Sequence, residues 1–431
     1  VSHTRWRIVA LLVAASFVAY LLRTNMSVAG ERIMDDLGLS TVQLGLVLAA
    51  FAWGYALFQF PGGVWGERIG ARRALTWMAI AWGMLNLLVG LLPEGAPAAG
   101  LLAGLVLLRF SMGAAQAGLF PVTGGDVVYR WFPYASWAVP NALMNVGLTF
   151  GAAAAGPIVA WLTHAAGWRA SFLLTSPLAV LVAAVWWWYA RDRPAEHRSV
   201  SPAELKLIDA NRPPESLHAE PGSWRFILRD RNILLIAAAY FCSNYVFYFF
   251  FNWLYIYLVD VRGFAVLEGG WLAAVPWIVG AGGAAAGGFL ADAMARRYGL
   301  RLGYRVPGVV GLAGAGLLLL AAAGVPDPYL AVVLLSLCLA FQQLTEGPFW
   351  AATVAVSGRH AATGCGVLNT GGNIVGGVGA LLVPFTADRL GWIPALATTA
   401  VFGFAGAGLW LLVRPDQQLR QATSPPGARV P

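Results

Sequence analysis

GGVWGERIGARR, Gly62 to Arg73, is echoed 225 residues later by GGFLADAMARRYG, Gly287 to Gly299. A second pair of motifs agrees with the first. Asn145 precedes Gly167-Trp168 and Asn369 precedes Gly391-Trp392, at an offset of 224 with the same internal spacing. Two separate motifs sharing one offset make chance similarity a poor explanation. The chain is a duplicated unit.

Composition says what the unit is made of. The 431 residues are 59% hydrophobic and only 11% charged, where a soluble domain carries roughly 25% charged residues. This is an integral membrane protein in contact with lipid, and its 22 Phe and 19 Trp suit lipid-facing and interfacial positions. Apolar stretches long enough to cross roughly 30 Å of hydrocarbon as helices fall near 7–30, 42–66, 73–92, 97–126, 135–163 and 168–190. They resume near 228–259, 266–294, 305–325, 328–357, 362–388 and 392–414. The expected fold is all-α, with twelve transmembrane helices in two pseudo-symmetric six-helix halves, 1–190 and 228–431. The joining segment, 191–231, holds 15 of the 48 charged residues. It is expected to be a cytoplasmic linker (191–227 between the halves) with a short surface helix at 203–210.

Charge placement orients the spans. Of 28 Lys and Arg, 22 fall on one side, counting the termini, and four on the other: Arg32, Arg169, Arg262 and Arg389. The positive-inside rule then puts both termini in the cytoplasm, as an even number of spans requires. Arg5 and Arg7 before an apolar run resemble the start of a signal peptide, but the many later spans favour an uncleaved first helix.

Several function classes drop out. The three cysteines are far apart in apolar segments and the five histidines are scattered, so no metal site or disulfide framework is expected. The net charge of +8 resides in short loops, where topology explains it without a nucleic-acid partner. No nucleophile–base pair or cofactor motif points to an enzyme. GAGGAAAGG (280–288) lacks the Lys-Ser/Thr of a phosphate loop and suits close helix packing instead. Duplicated halves imply a binding site between them near the bilayer midplane, reached by rocking one half against the other.

Two arginines, Arg23 and Arg109, lie within spans. Charge inside a bilayer usually faces a protein interior or an aqueous cavity. Arg23 admits two readings, a cavity residue or one that snorkels to the outer headgroups. Arg109 is too deep to snorkel easily and points to a cavity, with a structural ion pair as the alternative. Arg109, Gly113 and Gln116 share a helix face, as do Tyr20, Arg23 and Ser27. Tyr245, Tyr248 and Asn252 recur at i, i+3, i+7; Gln342, Glu346 and Trp350 form an i, i+4, i+8 stripe. Asn369 and Asn373 are i, i+4 neighbours among glycines, as cavity groups or as helix–helix hydrogen bonds. Tyr55, Gln59 and Asn145 complete the expected binding set. Glu346 is the sole acid deep in a span and the candidate for proton coupling. Two buried cations against one acid favour an organic anion, with Tyr, Asn and Gln suited to its hydroxyl groups and Trp350 to an apolar or sugar-like face.

At these residues the chain resembles the anion:cation symporter branch of the major facilitator superfamily, which includes hexonate and hexuronate transporters and the sialin and vesicular glutamate group. The likeness is carried by YLLRTNMSVAG, GGVWGERIGARR, LLRFSMGAAQAGLFP, GWRASF, RDRPAEH, NWLYIYLVDVRGF and GVLNTGGNIVGG. It implies the major facilitator fold and a carrier of small organic anions, driven by protons or potential, working by alternating access in the inner membrane as a monomer. It implies substrate contacts from Arg23 and from the polar groups of helices 7, 10 and 11. It also implies a cytoplasmic gate at Glu67, Arg68, Arg72 and Arg73, to which Arg130 and Asp292 are added. Three departures stand out. Many relatives carry an acid where this chain has Leu22, the usual helix 4 glutamate is Gln116, and Glu67 replaces an aspartate. Gln116 can donate and accept hydrogen bonds but releases no proton. An exchanger or uniporter without proton coupling therefore stands beside the symporter, with a non-transporting sensor as a further alternative.

Overall fold

The computed structural model describes residues 2–93, 97–210 and 224–418. Parts of the expected linker (211–223) and tail (419–431) lie outside them. Among the described residues there is no strand, and ten continuous helical stretches are long and apolar enough to cross a membrane. Two of these, Ala138–Tyr189 and Pro328–Gly376, run to 52 and 49 residues, about twice the length a crossing needs. Gly167, at φ 82°, divides the first, and a turn at Gly358–His360 divides the second. Twelve crossings result.

They are α1 (Thr4–Val28), α2 (Thr41–Ile69), α3 (Ala71–Gly90), α4 (Ala98–Ala117, continuing to Trp131), α5 (138–166) and α6 (168–189). The second half has α7 (Arg231–Asn252), α8 (Val266–Tyr298), α9 (Leu300–Gly324), α10 (Pro328–Gln343, then Glu346–Ser357), α11 (Ala361–Leu390) and α12 (Trp392–Leu412). Local chemistry sets several boundaries. Ser40 and Gln43 form a reciprocal capping box at the start of α2, while Asp230 and Asp327 accept the Ile233 and Leu330 N–H groups in the first turns of α7 and α10. Gly167 and Gly391, both at positive φ, make matching corners between α5 and α6 and between α11 and α12. The repeat seen in the sequence is thus a repeat of backbone geometry.

In lipid, helices associate through close packing of small residues more than through apolar burial. A methyl group on Gly113 of α4 would meet the Phe51 carbonyl oxygen of α2 at 2.2 Å. In the GAGGAAAGG stretch of α8, Gly283 and Gly287 lie equally close to the backbone of α10. The halves meet where α2 packs on α11 and α5 on α8. The short helix Pro202–Asp209, one residue from its expected start, folds back onto the beginning of α1.

Candidate functional site

Between the halves lies a cavity of about 120 Å³. One half contributes Tyr20, Arg23 and Thr24 from α1, Tyr55 from α2, Phe120 from α4, and Asn141 and Asn145 from α5. The other contributes Tyr240, Asn244 and Tyr248 from α7, Gln343, Glu346 and Trp350 from α10, and Asn369 and Asn373 from α11. Nine residues expected from sequence share this space: Tyr20, Arg23, Tyr55, Asn145, Tyr248, Glu346, Trp350, Asn369 and Asn373.

Arg23 faces the cavity. Its guanidinium lies 5.0 Å from the ring centre of Tyr20, 4.8 Å from Phe51 and 4.9 Å from Tyr55. Cation–π attraction on three sides fixes the cation where, among the described residues, no carboxylate pairs with it. Its Nη1 donates to the Tyr20 hydroxyl at 3.1 Å. Opposite, Tyr248 donates to Asn373 Oδ1 at 3.1 Å, and Asn373 Nδ2 donates to Asn369 Oδ1 at 3.1 Å. The Asn145 Nδ2 donor has no partner among the described residues.

Glu346 owes its position to a break in α10. Pro348 has no N–H for the carbonyl four residues before it, and the helix is interrupted between Gln343 and Glu346. Glu346 thus stands in the first turn of a new helical segment, whose N-terminal dipole favours a carboxylate. Its Oε2 accepts from the Tyr240 hydroxyl at 3.2 Å, and its Oε1 from Gln342 Nε2 at 3.5 Å. Gln342 is otherwise turned to Ser243, at 2.9 Å, so the neighbouring Gln343 lines the cavity instead. In α4, Pro121 opens a π-helical segment, Pro121–Val127, beside Phe120. The rings of Tyr20, Phe120, Trp350 and Tyr240 follow one another at 6.1, 6.1 and 6.4 Å, a continuous aromatic wall across both halves.

Five expected residues lie outside the lining. Arg109 donates through Nη2 to the Arg23 carbonyl oxygen at 3.2 Å and packs 4.7 Å from the Phe51 ring centre. It sits behind α1, because the face shared by Arg109, Gly113 and Gln116 is the one α4 presses onto α1 and α2. Gln116 donates to the Ala19 carbonyl oxygen at 3.2 Å. Gln59 is fully buried. Tyr245 stacks on Phe402 of α12 at 4.0 Å, and Asn252 is exposed at the end of α7. The cavity face of α7 runs through Tyr240, Asn244, Tyr248 and Phe251, rotated from the expected Tyr245–Asn252 stripe. That i, i+4, i+8 spacing of Tyr240, Asn244 and Tyr248 was available in the sequence and was missed. Asn141, one turn before Asn145, was missed too.

The arginine-rich end of the bundle is closed by two carboxylates. Glu67 Oε1 of α2 accepts the Thr363 N–H of α11 at 2.6 Å, and Oε2 lies 3.4 Å from His360 Nδ1. Asp292 of α8 accepts the Ala138 and Val139 N–H groups of α5, each at 2.9 Å. Glu67 and Asp292 are 225 residues apart, as are Ala138 and Thr363. Each half thus caps the first turn of a helix in the other, where unpaired N–H groups and the helix dipole attract anions. The arginines behave differently. Arg130 pairs with Asp126 at 2.7 Å in its own half. Arg72 stacks on Trp187 at 4.3 Å and bonds its carbonyl, tying α3 to α6, while Arg68 and Arg73 are exposed. Of the expected gate residues, Glu67 and Asp292 bridge the two halves through backbone N–H groups.

A duplicated bundle around a charged cavity, shut at one end, has the architecture of a secondary carrier. The chain belongs to the Major Facilitator Superfamily, whose family model matches residues 12–341. Among curated relatives, a probable sulfoacetate transporter from Cupriavidus necator is 30% identical over 416 residues, covering 96% of this chain and 94% of the relative. The hexuronate transporter of Bacillus subtilis is 31% identical over 420 residues, with 96% of each chain covered. A probable galactarate/D-glucarate transporter of Escherichia coli is 31% identical over 319 residues, with 71% and 70% covered. A proton:xylose symporter bound to a bromodeoxyglucose has the same fold at a TM-score of 0.75 and 13% identity, with 95% and 96% covered.

Proposed function

We propose that this carrier moves a small organic anion, a sugar acid or similar carboxylate, across the cytoplasmic membrane by alternating access. The observation that carries the reading is Arg23, a cation facing the cavity between the halves with no acid paired to it among the described residues. The substrate carboxylate docks on Arg23, its hydroxyl groups bond to the surrounding carboxamides and phenols, and its apolar face rests on Trp350. The relatives named for hexuronate and galactarate/D-glucarate support the same class. The reading takes the working unit to be a monomer. Halves 1–190 and 228–431 rock about the cavity while 191–227 links them, with both termini and the arginine-rich end in the cytoplasm.

Glu346 is the proton site of the cycle, since it is the one acid lining the cavity among the described residues. The test is uptake of labelled hexuronate or hexonate into proteoliposomes under an imposed inward proton gradient. The reading expects accumulation in the wild type, and in Glu346→Gln loss of that accumulation with exchange retained. The exchanger reading draws support from Gln116, which is bonded to the Ala19 carbonyl oxygen and has no proton to release. Wild-type uptake that ignores the gradient and responds only to anion on the opposite side would establish exchange.

A further inference from the structure

Arg23 and Glu346 are the two charged side chains of the cavity lining among the described residues, and they come from opposite halves. Neither is in an ion pair with another described residue. Around them are carboxamides, phenols and aromatic rings, with no second cation. Arg109, a cation beside Arg23, does not line the cavity and is bonded to the Arg23 carbonyl oxygen. Resting on the organic-anion reading above, we infer that the site takes a singly charged hydroxy acid and discriminates against diacids, with Glu346 as the specificity-determining residue.

The two charges act as complementary poles. A substrate that draws the halves together must touch both, and a carboxylate seated at Arg23 directs the rest of the molecule toward α10. There Glu346, when ionised, presents carboxylate oxygens, which accept hydrogen bonds and offer none. A hydroxyl group donates to them. A second carboxylate sets lone pairs against lone pairs and like charge against like charge, in a site where water is scarce. Elsewhere the lining offers that carboxylate carboxamide N–H donors but no second cation to offset its charge. The unpartnered Asn145 Nδ2 is one such donor, enough for a hydroxyl or ring oxygen of the substrate. Selectivity of this kind comes from a repulsive element as much as from the attractive one at Arg23.

Diacids of the same carbon skeleton provide the test. Binding of gluconate and galacturonate is compared with binding of glucarate and galactarate, using purified protein in detergent and isothermal calorimetry at about pH 8, where all these acids are fully ionised. The wild type is expected to prefer the monoacids by at least about tenfold. In Glu346→Gln the preference should shrink by about fivefold or more, mainly through tighter diacid binding, because a carboxamide offers an N–H to the second carboxylate. Glu346→Asp keeps the charge and should keep the preference. Diacid binding as tight as monoacid binding in the wild type, or an unchanged ratio in Glu346→Gln, would overturn the inference while leaving the organic-anion reading intact. Failure of every one of these acids to bind would overturn both.

Discussion

Arg23 sits among three aromatic rings with a cavity on its open side. A lysine there keeps the charge but loses the planar fork that grips a carboxylate at two points and lies flat on aromatic faces. Arg23→Lys is therefore expected to weaken substrate binding by about tenfold or more, as measured by calorimetry. Arg109 plays a different part. The residue is 2% exposed, its guanidinium bonded to one backbone carbonyl and to Met112 Sδ, and its Nε has no partner among the described residues. Buried charge held this sparsely is a burden on stability, and well-packed apolar replacements are often neutral or stabilising by about 1–4 kcal/mol. Arg109→Met should leave the melting temperature in detergent unchanged or raised while affinity falls, because the α1 backbone beneath Arg23 loses its tether. A lower melting temperature with normal affinity would make Arg109 structural only.

At the scale of elements, the sequence was informative about where helices run and less so about which way they face. Spans are legible because lipid demands long apolar stretches, and corners such as Gly167 and Gly391 repeat at a fixed offset. Rotation about a helix axis is not encoded so simply. On α7 the stripe through Tyr245 and Asn252 and the stripe through Tyr240 and Asn244 are equally polar, and only packing against α11 and α12 selects between them. Likewise Glu67 is legible as a gate residue beside its arginines, but its partner in the other half, a backbone N–H of α11, has no sequence signature. Packing at the closed end is tight: a methyl on Gly63 of α2 would meet the Ala362 carbonyl oxygen of α11 at 2.4 Å. Gly63→Ala should hold that end open, exposing Cys365, which is buried in this state, to faster alkylation. Unchanged labelling would contradict the close approach.

The linker helix Pro202–Asp209 holds the start of α1. The Glu204 carboxylate accepts from the Ser2 hydroxyl at 2.5 Å and from the Thr4 and Arg5 N–H groups at 3.1 and 3.2 Å, capping α1 from nearly 200 residues away. Although its burial alone would raise the pKa, the hydrogen bonds from Ser2, Arg5 and Thr4 hold it below the usual carboxylate value. The contribution to stability is thus present above the unfolded pKa and lost as pH falls through the folded one. Glu204→Ala should cost about 0.5–2 kcal/mol locally, in the range of lost helix caps. Hydrogen exchange should quicken in the first turn of α1 and in 202–209 and nowhere near the cavity.

For the whole molecule, Glu67 and Asp292 place the same contact at two pseudo-symmetric positions, each half capping a helix of the other. Glu67→Gln with Asp292→Asn should favour opening of the arginine-rich end and slow turnover more than it weakens binding, since neither carboxylate lines the cavity. A large loss of affinity at unchanged maximal rate would place the latch in the binding site instead. Function rests on the cavity around Arg23 carrying an organic anion from one face of the membrane to the other. Counterflow in proteoliposomes tests it most directly. Vesicles loaded with unlabelled galacturonate or gluconate should take up the labelled acid with the wild type, and lose that uptake with Arg23→Ala although the protein still folds. Tracer entry no greater than in protein-free vesicles, or undiminished entry in Arg23→Ala, would contradict the claim.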